Sequence, residues 1–104
     1  MKVLEITPRE RARLFGRLTD KQTTIHKNGR GTYERVGRKS ASAARWRHKM
    51  YGGSVELKRD ASETITARIR AAQPEAERRL LSSFLGFVDR HSDDKVASIT
   101  IHYR

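Results

Sequence analysis

Between Ile25 and Tyr51 the chain carries eight cationic side chains, Lys27, Arg30, Arg35, Arg38, Lys39, Arg45, Arg47 and Lys49, against a single carboxylate, Glu34. Ammonium and guanidinium groups at this density suit a row of phosphates, the guanidinium because its planar fork matches two acceptor oxygens at once. Tyr33, Trp46 and Tyr51, three of the seven aromatic residues in the chain, are interleaved with the cations. Rings placed among cations can stack on unpaired bases while the charges hold the backbone. The sequence therefore nominates Lys27, Arg30, Arg35, Arg38, Lys39, Arg45, Trp46, Arg47, His48, Lys49 and Tyr51 as a nucleic-acid-binding set. Trp46 has a second reading, as an apolar anchor tying the segment to the domain.

The same stretch holds the elements of an acid-base site. His26 and His48, with Glu34 as a partner in proton transfer and Arg35 or Arg47 to stabilise a phosphorane-like transition state, would constitute a metal-independent ribonuclease. No spacing fixes the mutual geometry of these groups, and histidines beside a basic loop are more simply surface residues, so a non-enzymatic binding protein is the favoured reading. Gly29-Arg30-Gly31 and Gly52-Gly53 lie outside the strand-loop-helix setting of a phosphate-binding loop and read as turns, so no nucleotide cofactor is indicated. Glu75 with Glu77 opens a helix, and Asp93 with Asp94 precedes a strand; dipole stabilisation and turn formation account for both pairs.

Charge outside the stretch is close to balance. The net charge of the 104 residues is +11, of which residues 26 to 50 supply +7, residues 1 to 25 +3 and residues 51 to 104 +1. A localised excess marks a surface suited to polyanions. Arginine outnumbers lysine sixteen to seven, but ten alanines accompany it, as codon bias would produce, so the clustering is the informative observation. With no cysteine and four scattered histidines, neither a disulfide nor a metal site is expected. No apolar run approaches the ~20 residues of a membrane span, and Met1 to Pro8 lacks the pattern of a leader. The expectation is a cytoplasmic protein of bacterial or phage type with no membrane association.

The elements that must position these groups follow from periodicity. Val3, Leu4 and Ile6 suggest a strand, and Thr7-Pro8-Arg9-Glu10 reads as a capping box that starts a helix at Pro8, with Ala12, Leu14, Phe15 and Leu18 as its apolar stripe and an end near Asp20. Asn28-Gly29 suggests a type I′ hairpin between residues 24 to 26 and 32 to 36. Ser40 would cap a short helix or mobile arm reaching Tyr51, with Gly52-Gly53 ending it. Residues 54 to 60 and 64 to 70 alternate as a second hairpin, Val55 and Leu57 sharing a face with Ile65, Ala67 and Ile69. Pro74 opens a helix whose face comprises Ala76, Leu80, Leu81, Phe84, Leu85, Phe87 and Val88, with Arg90 and His91 in its last turn. Residues 96 to 103 alternate again, Ala97, Ile99, Ile101 and Tyr103 on one side.

The order describes a single α+β domain over residues 1 to 104: a two-layer sandwich, a mostly antiparallel sheet with two helices on one face, and a basic hairpin or arm inserted at about residues 24 to 51. The open sheet face, with its threonines, Arg68, Arg70 and His102, offers a second surface. The function expected is nucleic-acid binding, RNA over DNA because exposed rings and an open sheet suit unpaired bases. The alternative is an adaptor or inhibitor docking on an acidic protein surface, and the third reading is the ribonuclease.

Overall fold

A computed structural model describes every residue except Arg11. Six strands, β1 (Lys2–Pro8), β2 (Tyr33–Arg35), β3 (Ala43–His48), β4 (Gly52–Arg59), β5 (Ile65–Arg70) and β6 (Val96–Tyr103), form one sheet in the order β2-β3-β4-β5-β1-β6, every neighbouring pair antiparallel. Two helices, α1 (Leu14–Lys27) and α2 (Pro74–Ser92), cover one face, and a short 3-10 turn at Asp93–Lys95 leads into β6. The architecture is the α+β two-layer sandwich that periodicity implies, but the segment read as an insert is part of its sheet.

Alternation builds the sheet. Leu4 and Ile6 of β1, Val55 and Leu57 of β4, and Ile65, Ala67 and Ile69 of β5 point to the helices and are fully buried. The hairpin of β4 and β5 turns at Asp60, whose carboxylate accepts from the backbone N–H of Ser62 (2.9 Å) and Thr64 (3.0 Å) and from the Ser62 hydroxyl (2.7 Å). These bonds hold the Asp60 carboxyl below the usual carboxylate range. Gly53, at φ +67°, lets β4 run close to β5, because a Cβ there would collide with the Arg70 carbonyl oxygen.

α2 takes Pro74 at its start, Glu75 and Glu77 in its first turn and Arg90 and His91 in its last. Glu77 is pinned to β1 by Lys2 Nζ (2.6 Å) and by the N-terminal ammonium (3.1 Å), which lower its pKa. Its apolar face, including Leu80, Phe84, Phe87 and Val88, lies on the sheet.

α1 begins six residues later than the capping box suggests. Thr7 and Pro8 extend β1 and pair with Ser98 and Val96 across a bulge, a position where a proline's missing N–H costs no ladder bond. The helix also runs past Asp20: Leu14, Phe15, Leu18, Thr19 and Gln22 are buried along one stripe, and Ile25 packs against the same core. The polar members are satisfied, Thr19 Oγ1 donating to the Phe15 carbonyl (3.0 Å) and Gln22 Nε2 to the Tyr33 carbonyl (3.3 Å). Residues 24 to 26 are therefore helical, and no hairpin forms around Asn28-Gly29. Instead Gly29 N–H bonds the His26 carbonyl (3.0 Å) and Arg30 N–H the Ile25 carbonyl (3.0 Å), with Gly29 at φ +71°, the pattern of a Schellman C-cap. Asn28 stays at φ −83°, whereas a type I′ turn would need it positive.

The helix expected from Ser40 is likewise absent. Ser40 Oγ accepts from the N–H of Ser42 (3.2 Å) and Ala43 (3.0 Å), closing the link from β2 to β3. The chain then runs extended, with Ala44, Trp46 and His48 facing the core and Arg45 and Arg47 facing solvent. Residues 38 to 50 thus include a whole strand between β2 and β4. Tyr103, on the same side of β6 as Ile99 and Ile101, is exposed, while those two are half-buried.

Candidate nucleic-acid interface

The two-residue period of β3 sorts the basic aromatic motif Arg45-Trp46-Arg47-His48 into two faces. Trp46 is fully buried, edge-on to Phe87 (5.2 Å between centroids) and near Tyr33 (5.5 Å) and Phe84 (6.2 Å). The ring is the anchor of this half of the sheet and is out of reach of any base, which removes it from the candidate binding set. His48 is buried beside it. Its Nδ1 accepts from the N–H groups of Met50 (3.0 Å) and Tyr51 (3.2 Å), so it shapes the turn into β4. Burial lowers its pKa, and protonating Nδ1 would set a third donor against those two amides. Tyr33 is also interior: its hydroxyl meets Ser83 Oγ at 2.9 Å, and burial pushes its pKa up to about 12. Of the three rings named from sequence only Tyr51 reaches the surface, half-buried and stacked on His48 at 4.3 Å with the Arg79 guanidinium 5.9 Å over it.

Seven of the eight cations divide among three places. Lys27, at the end of α1, and Arg35, at the end of β2, line a cavity of about 270 Å³ together with Gln22, Thr23, His26 and Glu34. Arg47 enters this corner from β3, where it stands opposite Glu34; its Nε donates to Glu34 Oε1 at 2.9 Å and its terminal nitrogen reaches the same oxygen. That bond first, then the Arg47 charge with Lys49 and His26 beside it, holds the Glu34 carboxyl below its ordinary range. Arg47 and Lys49 thus stand beside one ionised carboxylate and Lys27 and Arg35 share a cavity with it, all four cations exposed at the β2 edge of the sheet.

Arg45 is the second component. It projects from the open sheet face beside Glu56, in a checkerboard that continues through Lys58, Arg68 and Arg70. Arg68 pairs with Glu56 at 3.5 Å and His102 lies 3.5 Å from Glu5, while among the described residues neither Arg45 nor Lys58 has a carboxylate within ion-pair distance. The residues expected on that face are there, but three glutamates, Glu5, Glu34 and Glu56, divide its positive charge. Arg38 and Lys39 form the third component, exposed on the link between β2 and β3, where Lys39 joins Arg13 and Arg59 around a cleft of about 610 Å³. Arg59 is already engaged there by the Ala41 carbonyl (2.7 Å) and Glu63 (3.0 Å). Arg30 is exposed in the turn after α1.

His26 and Glu34 do share one cavity with Arg35, but His48 faces the core with its Nδ1 occupied, so the histidine pair of the ribonuclease reading is not assembled. Among the described residues no three of His, Asp and Glu gather as a metal-binding group, and no helix is long and apolar enough to cross a membrane. No family model matches the chain, and no significant match is found among curated proteins or solved structures.

Proposed function

We propose that this protein binds the phosphate backbone of nucleic acid at the corner where the end of α1 meets the β2 edge, through Lys27, Arg35, Arg47 and Lys49. The observation that carries the reading is that three elements bring these four exposed cations to one sheet edge that holds a single carboxylate, Glu34. Like charges repel, so grouping them on one exposed edge favours an anion that can touch several at once. Arg45 and Lys58 extend the positive surface across the open face, and Arg30, Arg38 and Lys39 border it. Tyr51 offers the one surface ring of the segment. With Trp46 and Tyr33 inside the core, backbone contact outweighs base stacking, and RNA and DNA present the same phosphates to this corner.

The test is fluorescence anisotropy with labelled single-stranded RNA, single-stranded DNA and duplex DNA at two salt concentrations. Three to four phosphate contacts, Arg47 being shared with Glu34, correspond to a log-log salt slope of about −2 to −3 on single strands and about −3 to −4 on duplex. Simultaneous Lys27→Ala, Arg35→Ala, Arg47→Ala and Lys49→Ala substitution, all at exposed positions, is expected to abolish measurable binding while leaving the circular dichroism spectrum unchanged. Absence of wild-type binding near physiological salt, or binding indifferent to the four substitutions, would sink the proposal.

A further inference from the structure

β6 is the strand at the sheet edge opposite the cationic corner, and its residues Val96 to Tyr103 include no charged side chain in a chain that is 34% charged. Edge strands that stay solitary are blunted by lysine, proline, short length or a bulge. β6 has eight residues, carries neither lysine nor proline and is irregular only where Pro8 meets Val96 at its start, and among the described residues no strand lies beyond it.

Backbone bonding fixes which groups that edge offers. Met1 and Arg104 exchange bonds in both directions (3.1 and 3.2 Å), so by antiparallel alternation His102, Thr100 and Ser98 bond to β1, while Tyr103, Ile101 and Ile99 turn their N–H and C=O groups outward. The side chains of these same three residues lie on the helix side of the sheet, and Tyr103 is 72% exposed.

Beside the start of the strand is a notch of about 170 Å³ lined by Val88, Asp89, Asp93, Val96 and Ile99. A cavity of about 150 Å³ accepts a benzene ring. The notch is therefore of a size for a phenol, and its lining combines three aliphatic side chains with the carboxylates of Asp89 and Asp93.

We infer that β6 pairs antiparallel with β6 of a second copy, and that each Tyr103 ring seats in the notch of the other copy. A two-fold axis through Thr100, perpendicular to the sheet, sets Ile99 against Ile101 and brings Tyr103 to Ala97 and Val96 at the far end. Every outward N–H and C=O of Ile99 and Ile101 then finds a partner, and all helices stay on one side. A small residue opposite a large one leaves space for the ring. Asp93, Asp94 and Lys95, two acidic and one basic, lead into β6 with a net negative charge and Arg104 follows it, so antiparallel pairing brings ends of opposite net sign together. This surface makes no use of the nucleic-acid corner. In the dimer, the two β2 edges become the outer edges of a sheet of twelve strands, roughly 50 Å apart at the usual strand spacing.

The experiment is sedimentation equilibrium on the whole chain, paired with amide hydrogen exchange at low and high protein concentration. Wild type is expected to show a concentration-dependent dimer, with the Ile99, Ile101 and Tyr103 amides gaining protection as it forms. Tyr103→Ala, at an exposed position, is expected to weaken the dimer at least about a hundredfold, because the ring is lost twice and each loss is worth about tenfold or more. Ala97→Lys, also exposed, sets a charge opposite Tyr103 of the other copy and is expected to abolish the dimer with the fold intact by circular dichroism. A chain that stays monomeric up to about 1 mM overturns the inference. So does a dimer unmoved by both substitutions.

Discussion

Replacing Glu34 by Gln separates an anion-binding corner from a merely structural ion pair. Arg47 donates two hydrogen bonds to one Glu34 oxygen, with side chains 60% and 31% exposed, so in the free protein one of the four corner cations is partly neutralised. Glu34→Gln keeps the shape, removes the charge and releases Arg47 toward a phosphate. Each added phosphate contact steepens the log-log salt slope by about 0.7 on a single strand or 0.9 on duplex. Over a fourfold rise in salt, one more contact amounts to roughly a threefold larger loss of affinity, from a tighter starting value at low salt. Arg47→Ala should act oppositely, deleting a cation and leaving Glu34 to repel the backbone. Anisotropy titrations at three or more salt concentrations give both slopes, and the thermal midpoint should barely move in either variant because the pair lies at the surface. Slopes that shift the same way, or not at all, refute the assignment of this corner.

Three further outcomes concern the frame. Trp46→Ala empties a fully buried site between Tyr33, Phe84 and Phe87, at a cost of about 3–5 kcal/mol, which lowers the thermal midpoint by at least about 12 °C in calorimetry. Gly53→Ala, at φ +67° and against the Arg70 carbonyl, should destabilise by about 1–3 kcal/mol in urea titration. His48 and His91 have folded pKa values lowered from 6.5 chiefly by burial, so the unfolded chain takes up protons first: stability is full above pH 6.5 and declines as pH falls through it toward the folded values. Melting from about pH 8 to about pH 5.5 should show that decline, flattened in His48→Asn, and a level wild-type profile would count against the buried histidine.

The apolar periods of β4, β5 and α2 were legible because each is unambiguous over six or more residues. The middle of the chain was not, for two physical reasons. Asn-Gly supplies the positive φ wanted by both a I′ turn and a Schellman cap, and only the burial of polar Gln22 and the partial burial of Ile25, both beyond Asp20, decide that α1 continues to it. Ala44-Arg45-Trp46-Arg47-His48 alternates with strand period, but three small or cationic neighbours conceal it, and a buried histidine satisfied by backbone N–H groups leaves no sequence signal. Deletion of residues 38 to 50, which would spare the fold if they formed an arm, removes β3 and should unfold the domain. At the site, the cations were legible as a count. Their division between the corner, the open face and the link before β3 depends on pairing register, and Glu34 gains its central place only through its pairing with Arg47.

The most direct measurement is an NMR titration of the protein with a short single-stranded oligonucleotide, following backbone amides and arginine side chains. Perturbations concentrated at Lys27, Glu34, Arg35, Arg47 and Lys49, fading across the open face past Arg45 and absent from β6, are the predicted result. Perturbations centred on α2 or β6, or none at salt low enough to favour polyanion binding, would contradict it.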